Sequence, residues 1–220
     1  MKILCISDHI DPLVYSPGIK ERFSDIDLIL SAGDLPFNYL DYIVTNLNKP
    51  LFFIFGNHQL NELKHFRKIN DTAITMDYED NSFMGCGAVH LGSKVKSEKN
   101  FIVAGLGGSM RYNRGKNQFS DREMYLEAIK LIPQLIWNRL VHGRFVDILL
   151  THAPPKGVHD KKDKCHCGFK AFLWFMKVFK PRYLVHGHIH LYDMREERCT
   201  KWENTLVVNA YNHYVINLGD

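Results

Sequence analysis

The chain has 220 residues, 45% of them hydrophobic and 24% charged, a globular balance and enough length to bury the core of one α/β domain. No apolar run approaches the roughly 18 residues of a membrane span. The first run, residues 3–6, is stopped by Ser7 and Asp8, which is too short for the apolar core of a signal peptide. A formal charge of +4 is too mild and too dispersed to indicate nucleic acid, and five scattered cysteines do not make a disulfide framework. The expectation is a single domain over residues 1–220, cytoplasmic, without a membrane partner; nothing in the sequence fixes an oligomeric state.

The elements follow in chain order. MKILCIS (residues 1–7) is an apolar run of strand length, and DLILSAGDLP (27–36) is a second that breaks off into polar residues. NYLDYIVTNLN carries Leu40, Ile43, Val44 and Leu47 at helical spacing. PLFFIFGNHQ (50–59) reads as a third strand, and residues 88–108 resemble a hairpin. The stretch 120–143 predicts a helix with Ser120 as N-cap and Glu123 three residues later, kinked or ended by Pro133. VDILLTHAPP (146–155) and RYLVHGHIH (182–190) are further buried strands on either side of an apolar helix over 168–181. Strands alternating with helices predict parallel βαβ units. Residues 194–219 read as short strands, expected to form an antiparallel meander.

The polar residues fall in one pattern. Asp8, Asp34, Asn57, His152 and the group at 187–190 each lie at or just past the C-terminal end of a predicted strand. In α/β sheets that edge is where strand ends and loops converge to form sites. One Asp after a strand is ordinarily a turn former, and one His a structural residue; five such arrivals on one rim are not explained that way. Two carboxylates, an amide oxygen and imidazoles from His152, His188 and His190 are oxygen and nitrogen donors without thiolate, a set suited to Mn, Fe or Zn. Six donors exceed what one ion with an open position needs. They match two ions roughly 3.5–4 Å apart, the arrangement that activates water and clamps a phosphoryl group.

The motifs SD at 7–8, GD at 33–34, GNH at 56–58, TH at 151–152 and GHIH at 187–190 resemble, in order and spacing, those of the calcineurin-like metallophosphoesterases. The resemblance covers nearly the whole chain. It implies an α/β fold, a four-layer α/β/β/α sandwich with mixed sheets, and a phosphomonoesterase or phosphodiesterase acting on a phosphate-ester small molecule. It further implies that Asp34 bridges two divalent ions, that Asn57, His152 and His188 complete one position, and that Asp8 and His190 serve the other. His58 would bind no metal but face the phosphate, stabilising charge or protonating the leaving oxygen. VAGLGGS at 103–109 resembles the family's central strand and glycine turn. As a dinucleotide fingerprint it fails, because Met110 stands where the last glycine belongs.

The chain departs from the family at the first motif, which is normally Asp-x-His-Gly. Here Asp8 is followed by His9, Ile10 and Asp11, and Ile10 occupies the position of a ligand. Three readings stay open: His9 or Asp11 reaches the ion from a shifted loop, water fills the position, or the chain is a metal-binding interaction protein without turnover. Downstream, Cys165 and Cys167 beside His159 and His166 are spaced too tightly for a usual zinc knuckle. That loop is expected to border the substrate, with His166 and Asp160 as contacts. Arg111, Tyr112 and Arg114, just after the glycine turn, are candidates for holding phosphate.

Overall fold

The apolar runs form strands because both of their faces are covered. In the computed structural model, which describes residues 1–61, 63–67, 86–98, 101–193 and 195–218, β1 (Lys2–Ser7) sends Ile3 and Cys5 to one core and Leu4 and Ile6 to another. The same alternation splits β2 (Leu28–Ser31), β9 (Ile148–Thr151) and β10 (Tyr183–His186). A strand packed on both sides shows no polar face in its sequence, which is why these segments read as continuous apolar runs.

Among the described residues two sheets carry the fold. The first has the order β13-β1-β2-β3-β4, with β3 at Leu51–Phe53, β4 at Val89–His90 and β13 at Asn212–Asn217. The second has the order β11-β12-β10-β9-β6-β5, adding β5 (Lys94–Glu98), β6 (Phe101–Leu106), β11 (Cys199–Trp202) and β12 (Thr205–Asn209). One core lies between the sheets. The helices α1 (Ile19–Phe23) and α2 (Phe37–Leu47) cover the first sheet, and α4 (Asp121–Lys130), α5 (Ile132–His142) and α6 (Lys170–Phe179) cover the second. The result is the expected four-layer α/β/β/α arrangement with mixed sheets. A short α3 (Leu63–Arg67) and the two-stranded pair β7 (Ser109–Met110) and β8 (Gln118–Phe119) complete the elements.

The helix signals act as predicted. The Ser120 hydroxyl accepts from the Glu123 N–H, and the Glu123 carboxylate accepts from the Ser120 N–H at 2.6 Å, closing a capping box on α4. Pro133 lies in the first turn of α5, where its missing N–H costs no bond, so the helix breaks at Leu131. Residues 88–108 do form an antiparallel pair, β5 with β6, whose connection at 99–100 lies outside the described residues. The meander expected over 194–219 is corrected. Only β11 and β12 pair antiparallel; β12 runs parallel to β10, and β13 crosses to the other sheet to pair antiparallel with β1. Periodicity marks a strand without naming its partner. Met194 and residues 219–220 at the ends of that stretch lie outside the described residues.

Candidate metal centre

The C-terminal ends of both sheets deliver the predicted residues to one place. Asp8 follows β1, Asp34 follows β2 and Asn57 follows β3 in the first sheet, while His152 follows β9 and His188 follows β10 in the second. Two of these ends turn in the same way. The His9 N–H donates to the Ser7 carbonyl at 2.7 Å around Asp8, whose φ is 65°. The Ile189 N–H donates to the Gly187 carbonyl at 2.7 Å around His188, also with φ 65°. These are γ-turns with a non-glycine residue in left-handed conformation, a rare and strained form. Asp34 is likewise left-handed at φ 58°. Strain of this kind persists only where surrounding structure enforces it, and it gathers at functional sites. Gly187 and Gly56 permit the approach: a Cβ on Gly187 would strike the Ser7 and Asp8 side chains, and one on Gly56 the Asp34 carboxylate and the His152 ring.

Donor atoms of Asp8, Asp34 and His152 lie within 4.8 Å of one another. The His152 Nδ1 is 2.8 Å from the Ala32 carbonyl, so it carries the proton and turns Nε2 into the site. That Nε2 lies 3.1 Å from Asn57 Oδ1 and 3.3 Å from Asp34 Oδ2. The His188 ring sits 4.9 Å from that of His152. Its Nε2 donates to the Cys165 carbonyl at 2.7 Å, leaving Nδ1 as acceptor. The carboxylates are anchored by one oxygen each: Asp34 Oδ1 accepts the His58 N–H and Asp8 Oδ2 accepts the His188 N–H, both at 2.8 Å. His190 lies at the rim. Its Nε2 is 3.7 Å from Asp8 Oδ1, its Nδ1 is 2.7 Å from the Tyr192 hydroxyl, and its ring stacks on Tyr211.

The charges are strongly coupled. Burial alone would push the Asp34 carboxyl up, but the His152 charge, the hydrogen bond to it and the His58 N–H hold it down at about 2. Asp8 is also held below the ordinary carboxylate range, burial being outweighed by His190, then His152 and Ser7. Burial disfavours a charged His152, yet Asp34 first and Asp8 second raise it to about 9. His188 is lowered to about 4, by burial and then by the His152 charge. The donor set therefore fits a divalent cation. Acceptor oxygens from two carboxylates and an amide converge around the His152 imidazolium, and both imidazoles are held from behind with a nitrogen left to face the site.

The remaining candidates are distributed as follows. His58 is exposed, on the solvent side of its backbone bond to Asp34. Arg111 is taken up by Glu123, whose two carboxylate oxygens both accept from Nη2, at 2.8 and 2.9 Å. His166 stands nearer, its ring 5.4 Å from that of His188 and its Nδ1 2.8 Å from Asp163. Asp160 closes its own loop, accepting from Lys156 and from the Gly157 and Gly168 N–H groups. Cys165 and Cys167 join no cluster of three ligands among the described residues. In the first loop, Asp11 is buried and spent: it pairs with His213 at 2.6 Å and caps the Leu13 N–H at 2.8 Å. His9 is exposed beside Tyr211, and Ile10 is 38% exposed. Two features escape sequence reasoning. One is the Cys165 carbonyl that orients His188. The other is Tyr112 as a neighbour of Asn57, whose amide donates to its hydroxyl at 3.2 Å. A backbone carbonyl has no sequence signal; the only one for Tyr112 is its place after the glycine turn.

The chain belongs to the calcineurin-like phosphoesterases: the model of that family matches residues 1–192. Members of this family usually bind divalent metals and act on phosphate esters. No curated protein matches the chain. Among solved structures, one crystal structure is similar with a TM-score of 0.61 at 15% identity, covering 99% of this chain and 95% of that one. TT1561 of Thermus thermophilus is similar with a TM-score of 0.53 at 12% identity, over 96% of this chain and 89% of that one. GAP50, the anchor in the inner membrane complex of Plasmodium, gives 0.50 at 9% identity, over 95% of this chain and 70% of that one. At such identities the likeness concerns the fold.

Proposed function

We propose that this protein is a metal-dependent phosphoesterase hydrolysing phosphomonoesters or phosphodiesters of small molecules, with residues 1–220 acting as one cytoplasmic catalytic domain. The observation that carries the reading is the convergence of Asp8, Asp34 and His152 within 4.8 Å at the ends of both sheets. Asp34, Asn57, His152 and His188 would hold one divalent ion, and Asp8 with His190 a second that shares Asp34; Mn, Fe or Zn suits the donors. Bound there, such ions supply Lewis acidity toward a phosphoryl oxygen. The chain's own contribution is positional. Ala32 and Cys165 fix the tautomers of His152 and His188, and Asp34 fixes the backbone of His58. The exposed His58 imidazole is then free to protonate the leaving alcohol, while His166, and Arg111 if released from Glu123, border the substrate.

The test is turnover of p-nitrophenyl phosphate and of its bis-ester by metal-loaded protein, with bound metal counted separately. His58→Ala should keep its metal and lose roughly 100-fold in kcat. Loss of metal from that variant would remove His58 from the role of acid. Ile10 supports a second reading, an interaction protein without turnover, which retained metal with no hydrolysis of either ester would favour.

A further inference from the structure

Helix α5 presents an apolar stripe that the fold does not cover. Leu135 and Asn138 face inward, while Pro133, Ile136, Trp137, Leu140 and Val141 recur at helical spacing on the outside. Trp137 is 64% exposed, Leu140 75% and Val141 55%. Single exposed apolar residues are ordinary, but a Trp-centred stripe along one helix marks a contact surface. The charges along α5 itself have one sign. Residues 128–146 contain no Asp or Glu, and Arg139 borders the stripe. Helix α6, which shares the same core layer, carries exposed Lys170 and Lys177, and residues 169–192 also lack acids. The acids of α4 are engaged: Asp121 with the Ala171 N–H, Glu123 with Arg111, and Glu127 with Lys130 and Ser93.

We propose that the outer face of α5 docks this protein on an anionic lipid surface, the helix lying in the interface with Trp137 and Leu140 inserted and Arg139 among the headgroups. Charge decides between the occupants. A second copy placed on the same stripe would bring two acid-free helices together with Arg139 facing Arg139, whereas anionic headgroups complement both the apolar centre and that arginine. No helix of the described residues is long and apolar enough to cross a membrane, and this mode requires none. The stripe belongs to the outermost layer, while the candidate centre lies at the strand ends of both sheets, so docking and the centre are independent.

The experiment is co-sedimentation of the whole protein with vesicles of phosphatidylcholine alone and with phosphatidylserine added, together with tryptophan emission. Binding should be at least about 10-fold stronger on the anionic vesicles and reversed by salt. The emission should shift to shorter wavelength, and that shift should vanish in Trp137→Phe, since Trp174 and Trp202 are already partly packed. Trp137→Ser with Leu140→Ser should abolish binding without lowering the melting temperature, because both side chains are exposed. Arg139→Glu, a change of two charges, should weaken binding by about 10-fold or more. Absence of binding at low salt, or equal binding to both vesicle types, overturns the proposal. So does a solution dimer that the double substitution dissociates, which would make the occupant a second copy.

Discussion

On the Asp34 side of the centre the groups are held from behind: His152 by the Ala32 carbonyl, His188 by the Cys165 carbonyl, Asp34 by the His58 N–H. On the Asp8 side the loop after β1 sends its polar side chains elsewhere. Asp11 turns to His213, His9 to solvent, and His190 stands at the rim with one nitrogen given to Tyr192. Asp8 itself is buried and anchored by the His188 N–H, so the contrast lies in the groups around it: those near Asp34 are buried and held, while His9 and His190 are exposed. The contrast shows that supporting hydrogen bonds, rather than a list of ligand types, distinguish a formed site from a partial one.

The substitution that tests this contrast hardest is Asp34→Asn. It removes the carboxylate placed between both halves and the partner that raises His152. Metal content should fall on both sides, and kcat/KM by about 1000-fold, a loss of several kcal/mol of charge stabilisation. Elemental analysis beside kinetics checks it; a milder effect than that of Asp8→Asn would show that Asp34 does not serve both positions.

A pH titration sharpens the same contrast. His152 is raised to about 9, so in the metal-free protein its proton contributes stability that is fully present below about pH 6.5 and is lost as pH rises through 9. Asp34, held near 2, contributes stability above about pH 3.8 that is lost as pH falls through 2. A metal must displace the His152 proton. Apparent affinity at this position should therefore climb about tenfold per pH unit from 7 toward 9 and then level off. Isothermal titration at three pH values measures it, and a flat profile would place the metal away from His152.

Much of this was legible in the sequence, for definite reasons. Strands packed on both faces leave unbroken apolar runs, and their ends show as abrupt polar residues; Asp8, Asp34, Asn57, His152 and His188 all stood out that way. The capping box of Ser120 and Glu123 is a local hydrogen-bond exchange, so local sequence suffices to read it. What stayed hidden depends on distant chain. Asp11 could not be assigned before His213, 202 residues away, was seen beside it. The crossing of β13 to β1 follows from which sheet edge is open, and the γ-turns at Asp8 and His188 from packing against Gly187 and its neighbours.

The buried Asp11–His213 pair yields a prediction of intermediate size. Asp11→Ala strands His213 and uncaps the Leu13 N–H, so it should cost about 1–3 kcal/mol of stability. Metal content of the protein that remains folded should be unchanged, because both Asp11 oxygens are already engaged, one by the Leu13 N–H and one by His213. Thermal melting and elemental analysis together separate this outcome from a ligand role, in which the metal would leave and the melting temperature of metal-free protein would hardly move.

The smallest expected effect concerns Ile10. Asp11 is committed to His213 and His9 is exposed, so the reading put to the test is a position beside Asp8 that water completes. A water ligand can exchange away, whereas an imidazole fixed to the chain cannot, so the ion beside Asp8 should be the weaker of the two. Ile10→His should tighten it by several-fold to tenfold, with little effect on the ion beside His152, because the two positions have different supporting bonds. Ile10 is partly exposed, so an imidazole there displaces no core packing and the fold should tolerate it. Metal titration of both proteins against a competing chelator reads the two affinities separately. If the two ions bind equally tightly in the wild type, or if Ile10→His changes neither, the asymmetry between the halves is not one of metal binding, and Ile10 only packs the loop.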